Sequence, residues 1–169
     1  TYADSLLQNS PLLSQAWAGA LSPAAVGYYL DGLRYITRES TRLLLLAANQ
    51  ARSLGHFELE AHFRHKAEEE IGHDRWAEAD LRRLESDFKI HLSREQSPAL
   101  VRLILFLTET ILERPICFMA YVFLVEHITV KLGPHWMAAL EGKCGISRSH
   151  LSVVHNHVEL DVDHVTEEL

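Results

Sequence analysis

Two serine–proline pairs, each followed by a long stretch with helical periodicity, constrain the fold of this chain more than any other feature. Ser22-Pro23 and Ser97-Pro98 each place a hydrogen-bonding side chain before a proline, as in a helix N-cap followed by Pro at the first helical position. After Pro23 the apolar residues recur every 3.6 residues, which predicts a helix that reaches Gly55. Patterns typical of strands are nearly absent. The sequence therefore predicts an all-α fold.

The remaining helices are predicted from the positions of proline, glycine and charge. A short helix is expected before Ser22, and a long, highly charged amphipathic helix from about His56 to Glu85. Proline disfavours helix in the residue before it, so Pro115 and Pro134 are expected to separate further helices. These breaks predict helices at 99–112, 116–132 and 135–141, and a final helix that begins near Ser147 or Ser149. About six or seven helices in 169 residues fit a single helical domain over residues 1–169.

Charge and hydropathy argue against nucleic-acid and membrane partners. Apolar residues make up 47% of the chain and charged residues 23%, as in an ordinary soluble protein. The formal charge of −7, without a basic cluster, disfavours a nucleic-acid-binding surface. The longest apolar run, Pro115 to Val125, stops at Glu126 and is shorter than the roughly 18 residues that span a bilayer.

The two cysteines, Cys117 and Cys144, occur without a secretory signal at the start of the chain. This combination predicts free thiols in a reducing compartment, and we expect a cytoplasmic protein. Cys117 stands in an apolar helical run, which favours a thiol in the core of the protein over a reactive one.

The final predicted helix contains the pattern that most needs a chemical explanation. His157, Asp161 and His164 stand at positions i, i+4 and i+7, so their side chains lie on one face of a helix. Two imidazoles and a carboxylate on one face suit a first-row transition metal. His155 and Asp163 fall on other faces and are expected to contact solvent. The alternative is a chance pattern in a region rich in His and Asp.

Two further groups of residues could supply metal ligands. Glu126 lies near the end of an almost wholly apolar helix, where a buried carboxylate is costly unless it is paired or binds a metal. The alternative is a helix rotated so that Glu126 and His127 reach solvent. Glu70 and His73 form a Glu-x-x-His pair, the spacing used in carboxylate-bridged diiron bundles, with Glu69 as a substitute ligand. The alternative for this pair is a solvated helix face.

Taken together, the three groups supply three carboxylates and three imidazoles from three separate helices. Three carboxylates nearly neutralise two divalent ions, which matters in a core of low dielectric. The mixed nitrogen and oxygen ligands suit iron or manganese, and the lack of Cys among them argues against structural zinc. Six protein ligands for two metals leave coordination positions open, as in catalytic sites.

The order and spacing of these residues resemble the haem-oxygenase-like non-haem diiron oxidases and oxygenases. This family shares its superfamily with thiaminase II and the pyrroloquinoline-quinone synthase. The resemblance rests on Glu70-x2-His73, Glu126 and His157-x3-Asp161-x2-His164, on the segment Ala67–Trp76, and on the early Ser10-Pro11 and Ser22-Pro23 segments. It implies a haem-oxygenase-like helical bundle. The chain ends five residues after His164, whereas members of the family usually continue into a further helix that covers the bundle. The resemblance therefore leaves open a bundle without its last helix.

The resemblance also implies ligand roles, cofactors and a reaction. Glu70, His73 and His157 would hold one iron, and Glu126, Asp161 and His164 would hold or bridge the other. The implied cofactors are two Fe(II) ions, with Mn as an alternative, and dioxygen is the co-substrate. Dioxygen would oxidise a small organic molecule that is amino-acid-like or fatty-acid-like. A second copy of the chain, in a homodimer, and an external electron donor are left open as partners. One departure is Lys66, which stands where some relatives have a carboxylate two turns before His73.

Two other functions remain open. Cys117-x3-Tyr121 resembles the nucleophile region of thiaminase II, which would make the chain a hydrolase that uses Cys117. The chain could instead be a non-enzymatic helical interaction protein, in which case the carboxylates and histidines are solvated surface groups. The diiron oxidase predicts two irons per chain, whereas both alternatives predict none.

Overall fold

The computed structural model describes Ser5 and residues 9–167, apart from the side chains of residues 163–167. The described residues form a bundle of α-helices, with one 3₁₀ turn at Arg148–His150. In chain order the helices are α1 (Pro11–Trp17), α2 (Pro23–Ser53), α3 (Phe57–Glu69), α4 (Asp74–Phe88), α5 (Pro98–Glu113), α6 (Pro115–Cys144) and α7 (Ser152–Glu167).

The predicted serine caps are present at the start of α2 and α5. Ser22 Oγ accepts a hydrogen bond from Ala25 N at 3.2 Å, and Ser97 Oγ accepts one from Ala99 N at 3.3 Å. Ser10 caps α1 in the same way. A side-chain oxygen here satisfies a backbone N–H that has no partner within the helix, and Pro at the next position loses no hydrogen bond. These caps fix where the helices begin.

The long helix α2 lies at the centre of the bundle and packs against α3, α4, α5 and α6. Two apolar clusters form along it. The first joins α2 to α4, α6 and α7 through residues such as Leu30, Leu81 and Leu140. The second joins α2 to α3, α5 and α6 through residues such as Leu44, Phe63 and Phe118. The cavity described below is lined by residues of both clusters.

The single helix predicted from His56 to Glu85 is wrong, because the chain forms two helices separated by a turn at residues 70–73. Gly72 has φ +87°, a backbone conformation that an α-helix cannot contain and that glycine adopts without steric cost. The amphipathic pattern continues on both sides of the turn, so periodicity alone did not reveal the break. Glu70 and His73 therefore stand at the two ends of this turn.

The break predicted at Gly133-Pro134 is also wrong, because α6 continues through it to Cys144 with Pro134 inside the helix. Pro134 has no N–H to donate to the preceding turn, which normally disfavours helix. Tight packing against α7 accompanies the continuation: a Cβ added to Gly133 would lie 2.5 Å from Val158 Cγ2. Trp136 and Leu140, beyond the proline, are buried in the first cluster. Tertiary packing therefore outweighs the local preference. The final helix begins at Ser152, after the 3₁₀ turn, and not at Ser147 or Ser149.

Helix α6 is long and apolar enough to cross a membrane by length and composition, with an 18-residue window of mean hydropathy 1.6. The apolar run predicted from the sequence stops at Glu126, but the helix that contains it continues to Cys144. Only 17% of that window is buried, and Ile116, Leu124 and Val125 are exposed on α6. One such helix is weak evidence for a membrane span, since core helices of soluble proteins pass the same test.

Candidate metal centre

Glu70, His73 and His157 come together at one point of the bundle. Glu70 follows the last residue of α3, His73 precedes the first residue of α4, and His157 lies in the second turn of α7. One potential ligand atom from each side chain lies within 4.8 Å of the other two. Metal–ligand bonds of about 2.0–2.2 Å bring ligand atoms somewhat closer than this. A small inward movement of the three side chains would therefore place them around one ion.

The ring of His157 is oriented by a hydrogen bond within α7. Its Nδ1 lies 2.7 Å from the backbone oxygen of Val153. A carbonyl oxygen can only accept, so Nδ1 bears the hydrogen and Nε2 is left with the lone pair. A hydrogen bond of this type on the distal ring nitrogen is the usual support of a metal-binding histidine, because it fixes both tautomer and orientation.

His73 is held from two sides by aromatic rings. It stacks on Trp76 with ring centroids 4.1 Å apart, and its ring meets the ring of His157 edge-on at 5.0 Å. Its Nδ1 is buried and makes no hydrogen bond to any described residue. The nearest carboxylate oxygen, Glu70 Oε2, lies 3.6 Å away, which is too far for a hydrogen bond. A buried nitrogen without a hydrogen bond that faces a carboxylate at this distance fits a bound cation between them.

Glu70 is in the charge state that a metal ligand requires. Partial burial raises the pKa of its carboxyl, but His73, His157 and Lys66 oppose this effect and together hold the pKa below its ordinary value. A carboxylate must be deprotonated to bind a metal. The environment therefore favours the ligand form of Glu70 before any metal arrives.

Glu126 and Asp161 lie beside this cluster and line the same cavity as Glu70 and His157. Both are buried, with 8% and 4% of their surface exposed, so the alternative in which Glu126 reaches solvent is wrong. Burial, followed by repulsion from Glu126 and Glu70, raises the pKa of Asp161 to about 8. The predicted sixth ligand, His164, belongs to α7, but its side chain is outside the part of the chain that the structure describes.

Lys66 places a positive charge among these carboxylates. Its Nζ donates a hydrogen bond to Glu126 Oε1 at 3.3 Å and lies 3.7 Å from Glu69 Oε2. Only 9% of the Lys66 side chain is exposed. Glu69, the substitute ligand of the sequence analysis, faces Lys66 and His65. Glu126 and Asp161 are thus accompanied by an ammonium group, which cannot ligate a metal while it is protonated.

A cavity of about 190 Å³ opens beside these residues, between α2, α6 and α7. Its lining is mainly apolar, and Lys66 is the sole Lys or Arg among the described lining residues. Two tyrosines stand in the lining. Burial raises the pKa of Tyr29 to about 12, and burial together with the charge of Glu70 raises the pKa of Tyr121. Both phenols therefore stay protonated at neutral pH.

Sequence reasoning missed Asp80, which positions α7. Asp80 is completely buried and accepts hydrogen bonds from Ser152 Oγ at 2.6 Å and Val153 N at 2.8 Å. A carboxylate at a helix N-terminus satisfies unpaired N–H groups and interacts favourably with the helix dipole. One signal was available: Asp80 falls on the same face of α4 as the buried Ala77 and Leu84. A carboxylate on an otherwise apolar helix face indicates that a specific hydrogen-bond donor lies opposite it in the fold.

The cysteine predictions are partly wrong. Cys117 and Cys144 are free, as expected, but Cys117 is exposed and not in the core. At the start of α6 the adjacent Phe118 is buried, and this orientation turns Cys117 outward. Cys117 is not among the residues that line the cavity, although Phe118 and Tyr121 are. The arrangement therefore places no thiol beside the carboxylates and histidines within the described part of the chain.

Comparison with known proteins identifies the fold. No protein-family model matches the chain, and no curated protein matches its sequence. Among solved structures, a domain of unknown function with a haem oxygenase-like fold from Shewanella denitrificans superimposes with a TM-score of 0.80. The alignment covers 98% of this chain and 71% of that one. The chain has a haem-oxygenase-like fold. This confirms the predicted all-α bundle, and at 20% identity the similarity shows the fold alone.

Proposed function

We propose that this protein is an iron-dependent oxidoreductase that uses dioxygen to oxidise a small, mainly apolar organic molecule. The observation that supports this proposal most directly is the convergence of Glu70, His73 and His157. Two histidines and one carboxylate with open coordination positions form the ligand set of non-haem Fe(II) oxygenases. Manganese is the alternative metal, since it accepts the same nitrogen and oxygen ligands.

Bound iron would supply the redox chemistry with dioxygen, and the residues of this chain would prepare the site for it. The bond from His157 Nδ1 to the backbone oxygen of Val153 leaves Nε2 as the ring nitrogen that can bind a metal. Stacking on Trp76 holds the ring of His73. The lowered pKa of Glu70 keeps its carboxylate ionised. Ligands held in place in this way need little rearrangement when the metal binds.

The cavity favours a fatty-acid-like substrate over an amino-acid-like one. Burial of apolar surface favours binding in proportion to the area removed from water. The described lining is mainly apolar, so a long alkyl chain would bury far more apolar surface there than most amino acids could. An apolar chain would pack against side chains such as Leu33, Val122 and Leu132 and exclude water from the centre. Any reaction that needs more electrons than the substrate supplies would require an external electron donor.

The test compares two histidines of α7. Protein would be loaded with Fe(II) without oxygen and desalted, and its iron content and oxygen consumption measured with fatty acids and amino acids. We expect His157→Ala to lose iron and substrate-dependent oxygen consumption. His155→Ala is the matched control, because His155 lies on the same helix, is exposed and faces Glu159. Retention of both properties in His157→Ala would contradict the proposal.

A further inference from the structure

Lys66 contacts Glu126, a carboxylate that a second metal ion would need as a ligand. It stands one turn before Glu70, so both side chains project from the same face at the end of α3. Its Nζ is 3.3 Å from Glu126 Oε1 and 3.7 Å from Glu69 Oε2. Glu126 and Asp161 line the cavity beside Glu70 and His157, and Lys66 is close enough to influence the carboxyl of Asp161 electrostatically. The ammonium group therefore interacts with the same carboxylates that a second ion would need as ligands.

The charges of the described side chains support one divalent ion better than two. A lysine ammonium is strongly hydrated, and it is retained in a buried position only when carboxylates compensate its charge. Lys66 has that compensation in Glu126 and Glu69. A divalent ion on Glu126 and Asp161 would compete with Lys66 for the same oxygens and would be repelled by it at close range. Among the side chains that the structure describes, Glu70, His73 and His157 thus fit a metal, whereas Glu126 and Asp161 with Lys66 beside them do not fit a second one.

We infer that the centre binds a single divalent ion at Glu70, His73 and His157, and that the ammonium group of Lys66 takes the place of a second metal. Lys66 is then a built-in cation that neutralises Glu126 and keeps this side of the centre free of metal. The inference rests on the proposed function, since it assumes that the first three residues bind metal. It replaces the two ions implied by the resemblance with one.

Metal stoichiometry tests this inference without any assay of turnover. The wild-type protein, stripped of metal, would be saturated with Fe(II) without oxygen, desalted and analysed for iron per chain. We expect about one iron per chain, as a two-histidine, one-carboxylate site holds one ion. Lys66→Glu removes the ammonium and adds a carboxylate, so its iron content should rise towards about two per chain. Lys131→Met is the control, because Lys131 is exposed on α6, and it should match the wild type.

The wild-type measurement decides the question even if Lys66→Glu does not fold. About two irons in the wild-type protein would overturn the inference and leave the proposed function standing. No bound iron would overturn both. About one iron in a correctly folded Lys66→Glu protein would also overturn the inference, because removal of the ammonium would then have opened no second site. A spectroscopic signature of isolated ferrous ions, without magnetic coupling, is the independent result expected for the wild type.

Discussion

The ion pair between Lys66 and Glu126 should make a large contribution to the stability of the metal-free protein. The two charged atoms are 3.3 Å apart, and the side chains are only 9% and 10% exposed. At an effective dielectric constant of about 20, two unit charges at 3.3 Å attract each other by about 5 kcal/mol. Removal of one partner from such a pair typically costs about 3–5 kcal/mol, since the other charge stays buried and loses its nearest opposite charge.

The measurement is a double-mutant cycle by urea unfolding of protein kept free of metal with a chelator. The variants are Lys66→Met, Glu126→Gln and the two combined. We expect Lys66→Met to lower the free energy of unfolding by about 3–5 kcal/mol. The double variant should lose much less than the sum of the single changes, with a coupling energy of at least about 2 kcal/mol.

A second ion pair provides the control. Arg82 and Glu78 approach to 3.2 Å in α4, almost the same distance, but their side chains are 73% and 34% exposed. Solvent screening should reduce their coupling energy to about 0.5 kcal/mol or less. A coupling below about 0.5 kcal/mol for Lys66 and Glu126 as well would refute the reasoning, because burial would then make no difference.

Three further predictions concern other parts of the structure. Asp80→Ala removes the hydrogen-bond acceptor at the start of α7 and should lower the unfolding free energy by about 2–3 kcal/mol in urea titrations; an unchanged value would show that water replaces the carboxylate. Gly133→Ala should lower the unfolding free energy by about 1–3 kcal/mol, because its Cβ would meet Val158 Cγ2 at 2.5 Å. Adding Val158→Ala to this variant should restore part of the loss. Gly142→Ala, whose Cβ would have nothing within 4 Å, should not destabilise the protein. Hydrogen bonds from two arginines hold the pKa of Glu60 below its usual 4.5. Ionised Glu60 therefore stabilises the fold above pH 4.5, and this contribution is lost as the pH falls through the lowered pKa. The melting temperature of Glu60→Gln should be lower than that of the wild type at pH 7 and equal to it near pH 2.

The helical fold could be predicted because its signals are local. Ser22 and Ser97 cap the helices that follow them, and cap chemistry depends on residues within one turn. The break at Gly72 and the continuity through Pro134 could not be predicted in the same way. Each depends on how helices pack: Gly72 allows α4 to leave the line of α3, and the apolar contacts of α6 on both sides of Pro134 outweigh the hydrogen bond that it lacks.

The candidate site shows the same division. Residue type and spacing singled out Glu70, His73 and His157, because metal ligands are chemically distinctive. In the sequence, Lys66 differs from its neighbours only as a departure from the ligand pattern of the family that the chain resembles. Its contact with Glu126 joins residues separated by 60 positions, and no local pattern encodes such a contact. The sequence therefore suggests which residues could bind metal, while the single ion proposed above rests on a contact that only the tertiary fold reveals.

The turn at residues 70–73 has one more consequence. On a continuous helix, Glu70 and His73 would be spaced by helical geometry alone, at about 5–6 Å between Cβ atoms. Across the turn, with Gly72 at φ +87°, their separation depends on the path of the backbone between α3 and α4. An ion bound to both residues and to His157 would therefore act as a cross-link between three helices. Part of its binding energy would appear as slower amide hydrogen exchange at this junction, so metal affinity and the local order of the corner would rise and fall together.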